Sequence, residues 1–147
     1  TAKGIVFGEI GDHVRTLMAW GFCFHPDTKI HLRNGEYKCI KNIQVGDILT
    51  NGSEVMGTIN VRGNLNDISN KQNSYYSIYS RELKENIYVT GSHKMRMKGI
   101  HDNIITEVKD CPYAKIEPYM KTKYFKCLIT HDHLIQIGEH TFYDWEY

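Results

Sequence analysis

Short runs of β-branched and aromatic residues, cut by Asn-Gly pairs, dominate the chain from Thr28 onward. That grammar constrains the fold more than any other feature. Asn34-Gly35 separates 28–33 from 36–43. Both turn positions tolerate positive φ, so a tight hairpin is expected there. Val45-Gly46-Asp47 punctuates the chain, Ile48-Leu49-Thr50 opens a further strand, and Asn51-Gly52 marks another turn. Val55–Arg62 reads as a longer strand with Gly57 at a bulge. Residues 63–73 are polar and Asn-rich, as in a surface loop. Strands are then expected over 74–79, 86–89, 104–108, Tyr124–Thr130, Leu134–Ile137 and 141–143, with Pro112 and Pro118 bracketing a loop. Many short strands joined by such turns predict an all-β sandwich or pseudo-barrel.

Residues 1–22 read differently. Val14, Leu17 and Met18 line one face of a short helix, with Asp12 as its N-cap and Gly21 as its stop. The expected organisation is an upstream flanking segment, 1–22, and one domain, 23–147. At 147 residues the chain is long enough for a real core, and 41% hydrophobic with 24% charged residues is globular composition. A formal net charge of +1 gives no electrostatic footprint for nucleic acid or an anionic membrane. No apolar run approaches the roughly 20 residues that span a bilayer. The first residues lack the order of a signal peptide. The cysteines are Cys23, Cys39, Cys111 and Cys127. None forms C-x-x-C, so zinc-ribbon and thioredoxin-like readings have no support. Free thiols are expected, as in an intracellular chain, with Cys39 a small buried hydrophobe.

The chemistry centres on Cys23, in Gly21-Phe22-Cys23-Phe24-His25-Pro26-Asp27-Thr28. A cysteine can act on its own preceding peptide bond by an N-to-S acyl shift. Amide resonance opposes the step, so the site must polarise the bond, protonate the departing nitrogen and stabilise an oxyanion. A histidine is the natural proton carrier near neutrality. Thr90-Gly91-Ser92-His93 follows the strand-like Ile87-Tyr88-Val89, and its threonine and histidine can point into one cavity across the turn. A third cluster, Cys127 with His131 and His133, lies on strand-like segments, where period two would put all of them on one face. Thr130-x-x-His133 repeats the spacing of Thr90-x-x-His93. Cys127, His131 and His133 also have the donor types of a partial zinc site, with no fourth ligand at sensible spacing. Cys111, His13, His25, His31, His101 and His140 read as loop, turn or surface residues, and the aromatic run at 142–145 reads as packing.

These blocks together resemble a Hint domain, the autoprocessing module shared by inteins, bacterial intein-like domains and the C-terminal part of hedgehog proteins. Cys23-Phe24, Thr28-Lys29-Ile30, Gly35 and Ile43-x-Val45-Gly46-Asp47 resemble its opening block. Ile87-Tyr88-Val89-Thr90-Gly91-Ser92-His93 resembles its T-x-x-H block, and 124–134 its late block. The resemblance implies a horseshoe-like β fold of pseudo-two-fold symmetry. It makes Cys23 the nucleophile at the Phe22-Cys23 bond, His93 the proton donor, and Thr90 a holder of the site. Cys127 takes the late-block Asp/Cys position, and His133 is the late-block histidine by spacing. Splicing members end in His-Asn, whose Asn cyclises, and no His-Asn pair occurs in this chain. The expected function is therefore single-turnover self-processing with N-terminal cleavage or ligation. It needs no cofactor or metal and uses a monomer's own flanking polypeptide as substrate, without nucleic acid or membrane. The alternative is a catalytically silent β-rich binding or scaffold module that keeps the fold.

Overall fold

The computed structural model describes residues 23–62, 74–99, 101–120 and 122–144. The helix expected within 1–22, the loop at 63–73 and the Phe22 side of the expected scissile bond lie outside them. The described residues form eleven strands and short 3-10 turns, in keeping with the all-β expectation.

Strands β1 (Lys29–His31) and β2 (Tyr37–Cys39) form the expected hairpin, with Gly35 at φ +94° in its turn. The return is shorter than the sequence suggests, because Ile40–Asn42 coils into a 3-10 turn that buries Ile40. Residues 48–50 make only isolated bridges, Leu32 to Leu49 and Ile48 to Glu54. Strands β3 (Val55–Arg62) and β9 (Tyr124–Thr130) pair antiparallel along their length. β4 (Tyr75–Ser80) lies between β5 (Glu85–Thr90) and β8 (Lys115–Glu117). The last sheet runs β10 (Leu134–Ile137), β11 (His140–Tyr143), β6 (Lys94–Lys98) and β7 (Asn103–Glu107). β6 and β8 are additions to the sequence reading.

The bulge expected at Gly57 is present, and it decides which core each residue joins. Val55 pairs with Thr130 but Gly57 pairs with Ile129, so Met56 is the extra residue. One inserted residue flips the face of the strand. Val55 accordingly packs in the main core with Leu128, Ile135 and Phe142, whereas Ile59 and Val61 pack in a smaller cluster with Cys23, Tyr75, Phe125, Cys127 and Ile129. β9 alternates between the two, Leu128 toward one and Phe125, Cys127 and Ile129 toward the other.

Phe24 ties these layers together. Its backbone bridges Val89 of β5 and Lys126 of β9, with Phe24 N–H donating to the Lys126 carbonyl at 2.8 Å and Lys126 N–H returning to the Phe24 carbonyl at 2.9 Å. Its ring is fully buried and meets Phe142 edge-on, centroids 5.3 Å apart. Burial of a phenyl ring on this scale contributes about 2–3 kcal/mol. The residue that follows the candidate nucleophile is thus an anchor, and it fixes Cys23 between the end of β5 and the middle of β9.

Candidate functional site

Cys23 is held by its backbone. The Thr90 hydroxyl accepts the Cys23 N–H at 3.3 Å and donates to the Cys23 carbonyl at 3.2 Å. The Thr90 N–H reaches the same carbonyl at 3.0 Å. One hydroxyl can do both because it carries a donor and two acceptor lone pairs. Thr90 closes β5, and the chain then turns through Gly91-Ser92, with His93 N–H donating to the Thr90 carbonyl at 3.1 Å. That turn carries His93 back over Cys23, as the Thr-x-x-His spacing predicts.

His93 is fully buried, its ring 4.7 Å from that of Phe24 and 5.6 Å from that of Phe142. Its Nε2 lies 2.6 Å from the Tyr143 carbonyl. A carbonyl has no proton to give, so Nε2 carries the hydrogen and, in the neutral ring, Nδ1 keeps its lone pair. Burial pushes the imidazole down from 6.5 to about 4, while the backbone of Tyr143 and of Cys23 pulls it part of the way back. At neutral pH His93 is therefore an uncharged base that touches the backbone at both Cys23 and Tyr143.

Cys127 overturns one expectation. Cys23 and Cys127 are joined as a disulfide, with Cα atoms 4.6 Å apart and both residues inaccessible to solvent. Free thiols were expected throughout; only Cys39 and Cys111 are free. The pairing follows from the fold: the Phe24–Lys126 bridge sets the preceding residue of one strand against the following residue of the other. Cys111 is buried in the main core, away from the site, and Cys39 is half-buried rather than fully so.

The histidines of the late block also differ from expectation. β9 stops at Thr130, so His131 and His133 do not continue its alternation. His131 is exposed and its Nδ1 accepts the Glu54 N–H at 3.0 Å. His133 has φ +65°, and its Nδ1 lies 3.1 and 3.2 Å from the carboxylate oxygens of Asp144. The turn forms because Asp132 accepts the Leu134 N–H at 3.2 Å and the Ser53 hydroxyl at 2.8 Å, capping the chain locally. Cys127, His131 and His133 are thereby sent three ways, and no group of metal-ligating side chains forms among the described residues.

Asp144 is the residue that sequence reasoning missed. It is fully buried, it accepts the Thr130 N–H at 3.0 Å, and its own N–H donates to the His133 carbonyl at 3.0 Å. By sequence it reads as part of the aromatic packing run at 142–145. The available signal was the second Thr-x-x-His, whose backbone turn repeats the first: His133 N–H bonds to the Thr130 carbonyl at 3.3 Å.

No family model matches the chain, and no curated protein sequence matches it. Solved structures do. A triply substituted variant of gp41-1 intein superposes with a TM-score of 0.55 at 14% identity, covering 84% of this chain and 99% of that one. Unsubstituted gp41-1 intein gives 0.51 at 14% identity, covering 83% and 98%. A DnaB intein from Synechocystis gives 0.53 at 12% identity, covering 83% and 97%. With so little shared sequence the likeness is one of backbone, and it spans nearly the whole of each intein: this chain has the all-β, horseshoe-like Hint fold of the inteins.

Proposed function

We propose that the chain processes itself by an N-to-S acyl shift at Phe22-Cys23, giving a thioester that is hydrolysed or captured by a nucleophile. One observation carries this reading: Thr90 grips both backbone groups of Cys23 while a buried histidine from the same turn packs against it. Such a clamp fixes the peptide unit on which the thiol would act.

Reduction comes first, because the Cys23 sulfur is bonded to Cys127. The freed thiol gives its proton to neutral His93, and the thiolate attacks the Phe22 carbonyl carbon. As that C–N bond breaks, the imidazolium returns the proton to the Cys23 nitrogen. The S–C bond formed replaces the C–N bond lost, and no proton is gained or lost overall. A depressed pKa suits the second half of this relay, since a buried imidazolium is a strong donor. Thr90 holds the site, Cys127 is the redox partner of the nucleophile, and His133 stands at Asp144 instead of at Cys23.

Intact-mass measurement of the folded chain, with and without dithiothreitol or hydroxylamine, tests the proposal. Separation of 1–22 under thiol is the expected result, Cys23→Ala should abolish it, and His93→Ala should slow it by roughly 10²–10⁴. An intact mass after prolonged incubation of reduced, folded protein would count against it. The disulfide itself favours a second reading, a silent binding or scaffold module in which Cys23 serves structure. In that case Cys23 would stay unreactive toward alkylating agents after reduction while the fold persists.

A further inference from the structure

We infer that the outer edge of β7 docks a second copy of this chain, which adds its own β7 antiparallel to it and joins the two sheets. The sequence alone predicts a monomer, and the exposed edge points to a weak dimer instead. The inference does not rest on the reaction at Cys23.

β7 is the outer strand of its sheet, paired with β6 on one side. The bonds that flank it fix which way each peptide group points. Gly99 N–H donates to the Asp102 carbonyl at 2.9 Å, and Val108 N–H to the His93 carbonyl at 2.8 Å. In an antiparallel ladder every second residue bonds to its neighbour. Ile104 and Thr106 therefore face β6, and Asn103, Ile105 and Glu107 turn their N–H and C=O groups outward. Among the described residues the one bond to these outward groups comes from the Thr106 hydroxyl, which donates to the Glu107 carbonyl at 3.2 Å and leaves it a lone pair.

Proteins blunt such edges with lysine, proline, a bulge or a covering segment. β5 has a cover: Phe24 bridges to Val89, and His25 N–H donates to the Tyr88 carbonyl at 2.9 Å. β7 lacks these devices. Its register with β6 is unbroken, and Asn103-Ile104-Ile105-Thr106-Glu107 holds neither lysine nor proline. Ile104 and Ile105 lie on opposite faces of the strand and are 52% and 47% exposed. An apolar edge with unpaired backbone groups is a template for another strand.

The strand is complementary to itself, which is why a second copy fits. Turned about Ile105, two copies set Ile105 against Ile105, Ile104 against Thr106 and Asn103 against Glu107. This register overlaps the whole strand and matches outward groups to outward groups. Each of the pairs Ile105–Ile105 and Asn103–Glu107 then exchanges two backbone bonds. β-branched side chains meet across the seam, the carboxylate faces an amide that can donate to it, and no like charges stand opposite. The contact is isologous, so it closes at a dimer. One added strand pair falls short of the roughly 1,200 Å² that a stable complex buries, so the dimer forms only at high protein concentration.

The test uses the 147-residue chain, kept oxidised so that the Cys23–Cys127 disulfide stays closed. Sedimentation velocity and amide hydrogen exchange by NMR follow it from about 20 μM to about 1 mM. A shift from monomer toward dimer is expected, with exchange at Asn103, Ile105 and Glu107 slowing in step with the dimer fraction. Ile104 and Thr106, already bonded to β6, should change little. Ile105→Lys sets two ammonium groups face to face and should weaken the dimer about tenfold or more, whereas Ile105→Val should keep it. Ile105 is half-exposed, so neither variant disturbs the core, and an unchanged thermal midpoint checks the fold. A chain still monomeric at about 1 mM would overturn the proposal, as would a dimer without the alternating protection or one that Ile105→Lys leaves intact. Protection of those amides only when an unrelated extended peptide is added to monomeric chain would assign the edge to a foreign strand and equally overturn it.

Discussion

His93 makes stability depend on pH in a calculable way. Its pKa is about 4 in the folded protein against 6.5 for the free side chain, because burial penalises the imidazolium. The unfolded chain therefore binds more protons than the folded one between those values, and stability falls as pH drops through that window. The contribution is intact above pH 6.5 and fully lost below about 4. Each pKa unit is worth about 1.4 kcal/mol, so the whole effect is about 3 kcal/mol, of which about 2 kcal/mol is lost between pH 7 and 5. His25, also lowered by burial, adds to the same slope, and Glu139, held at about 2, acts only at more acid pH. The variant His93→Gln isolates the term, since an amide N–H can still donate to the Tyr143 carbonyl but does not titrate. Urea unfolding of the oxidised protein at pH 7, 6 and 5 should show stability falling about 2 kcal/mol further in the original than in the variant. Parallel pH profiles would refute a buried, neutral His93, and with it the proton relay that depends on that state.

Three further outcomes follow from named contacts. Cys127→Ser removes a cross-link between residues 104 apart, so it should lower stability by about 4 kcal/mol under oxidising conditions and free thioester formation from any need for reductant, both readable by denaturation and intact mass. Thr90→Val keeps the shape but strips the Cys23 N–H of its hydroxyl partner, costing about 2 kcal/mol in unfolding free energy and slowing thiol-induced cleavage about 10²-fold; an unchanged rate would remove the clamp from the mechanism. Gly138 sits at φ +56°, and an added Cβ would strike the Ser80 hydroxyl that donates to Glu139, so Gly138→Ala should lower the thermal midpoint by the equivalent of about 2 kcal/mol.

What the sequence made legible was whatever is local. Val55–Arg62, Tyr124–Thr130 and Leu134–Ile137 are strands in the structure as read, because each is rich in strand-favouring residues and bounded by turn formers. β6 escaped notice because Lys94-Met95-Arg96-Met97-Lys98 has little intrinsic strand preference; it is a strand because β11 and β7 pair with it on either side. Short, polar β8 depends likewise on β4. Thr90 and His93 were found because three residues of spacing and one turn suffice to join them.

The disulfide and Asp144 were hidden for a common physical reason: both are products of pairing across the fold. Nothing in a separation of 104 residues says that two cysteines will come within 4.6 Å; that follows only once Phe24 bridges to Lys126. Asp144 likewise gains meaning from Thr130 and His133, which reach it only because β9 ends and the chain turns back at Asp132. Yet the repeated Thr-x-x-His is plain in the sequence. Two threonines closing different strands, each with its histidine folded back in the same turn, are what a pseudo-two-fold fold should produce. Local spacing repeated at distant points of a chain therefore carries non-local information. Here it places one histidine beside Cys23 and one beside Asp144, with His93 in contact with both regions through Cys23 and Tyr143.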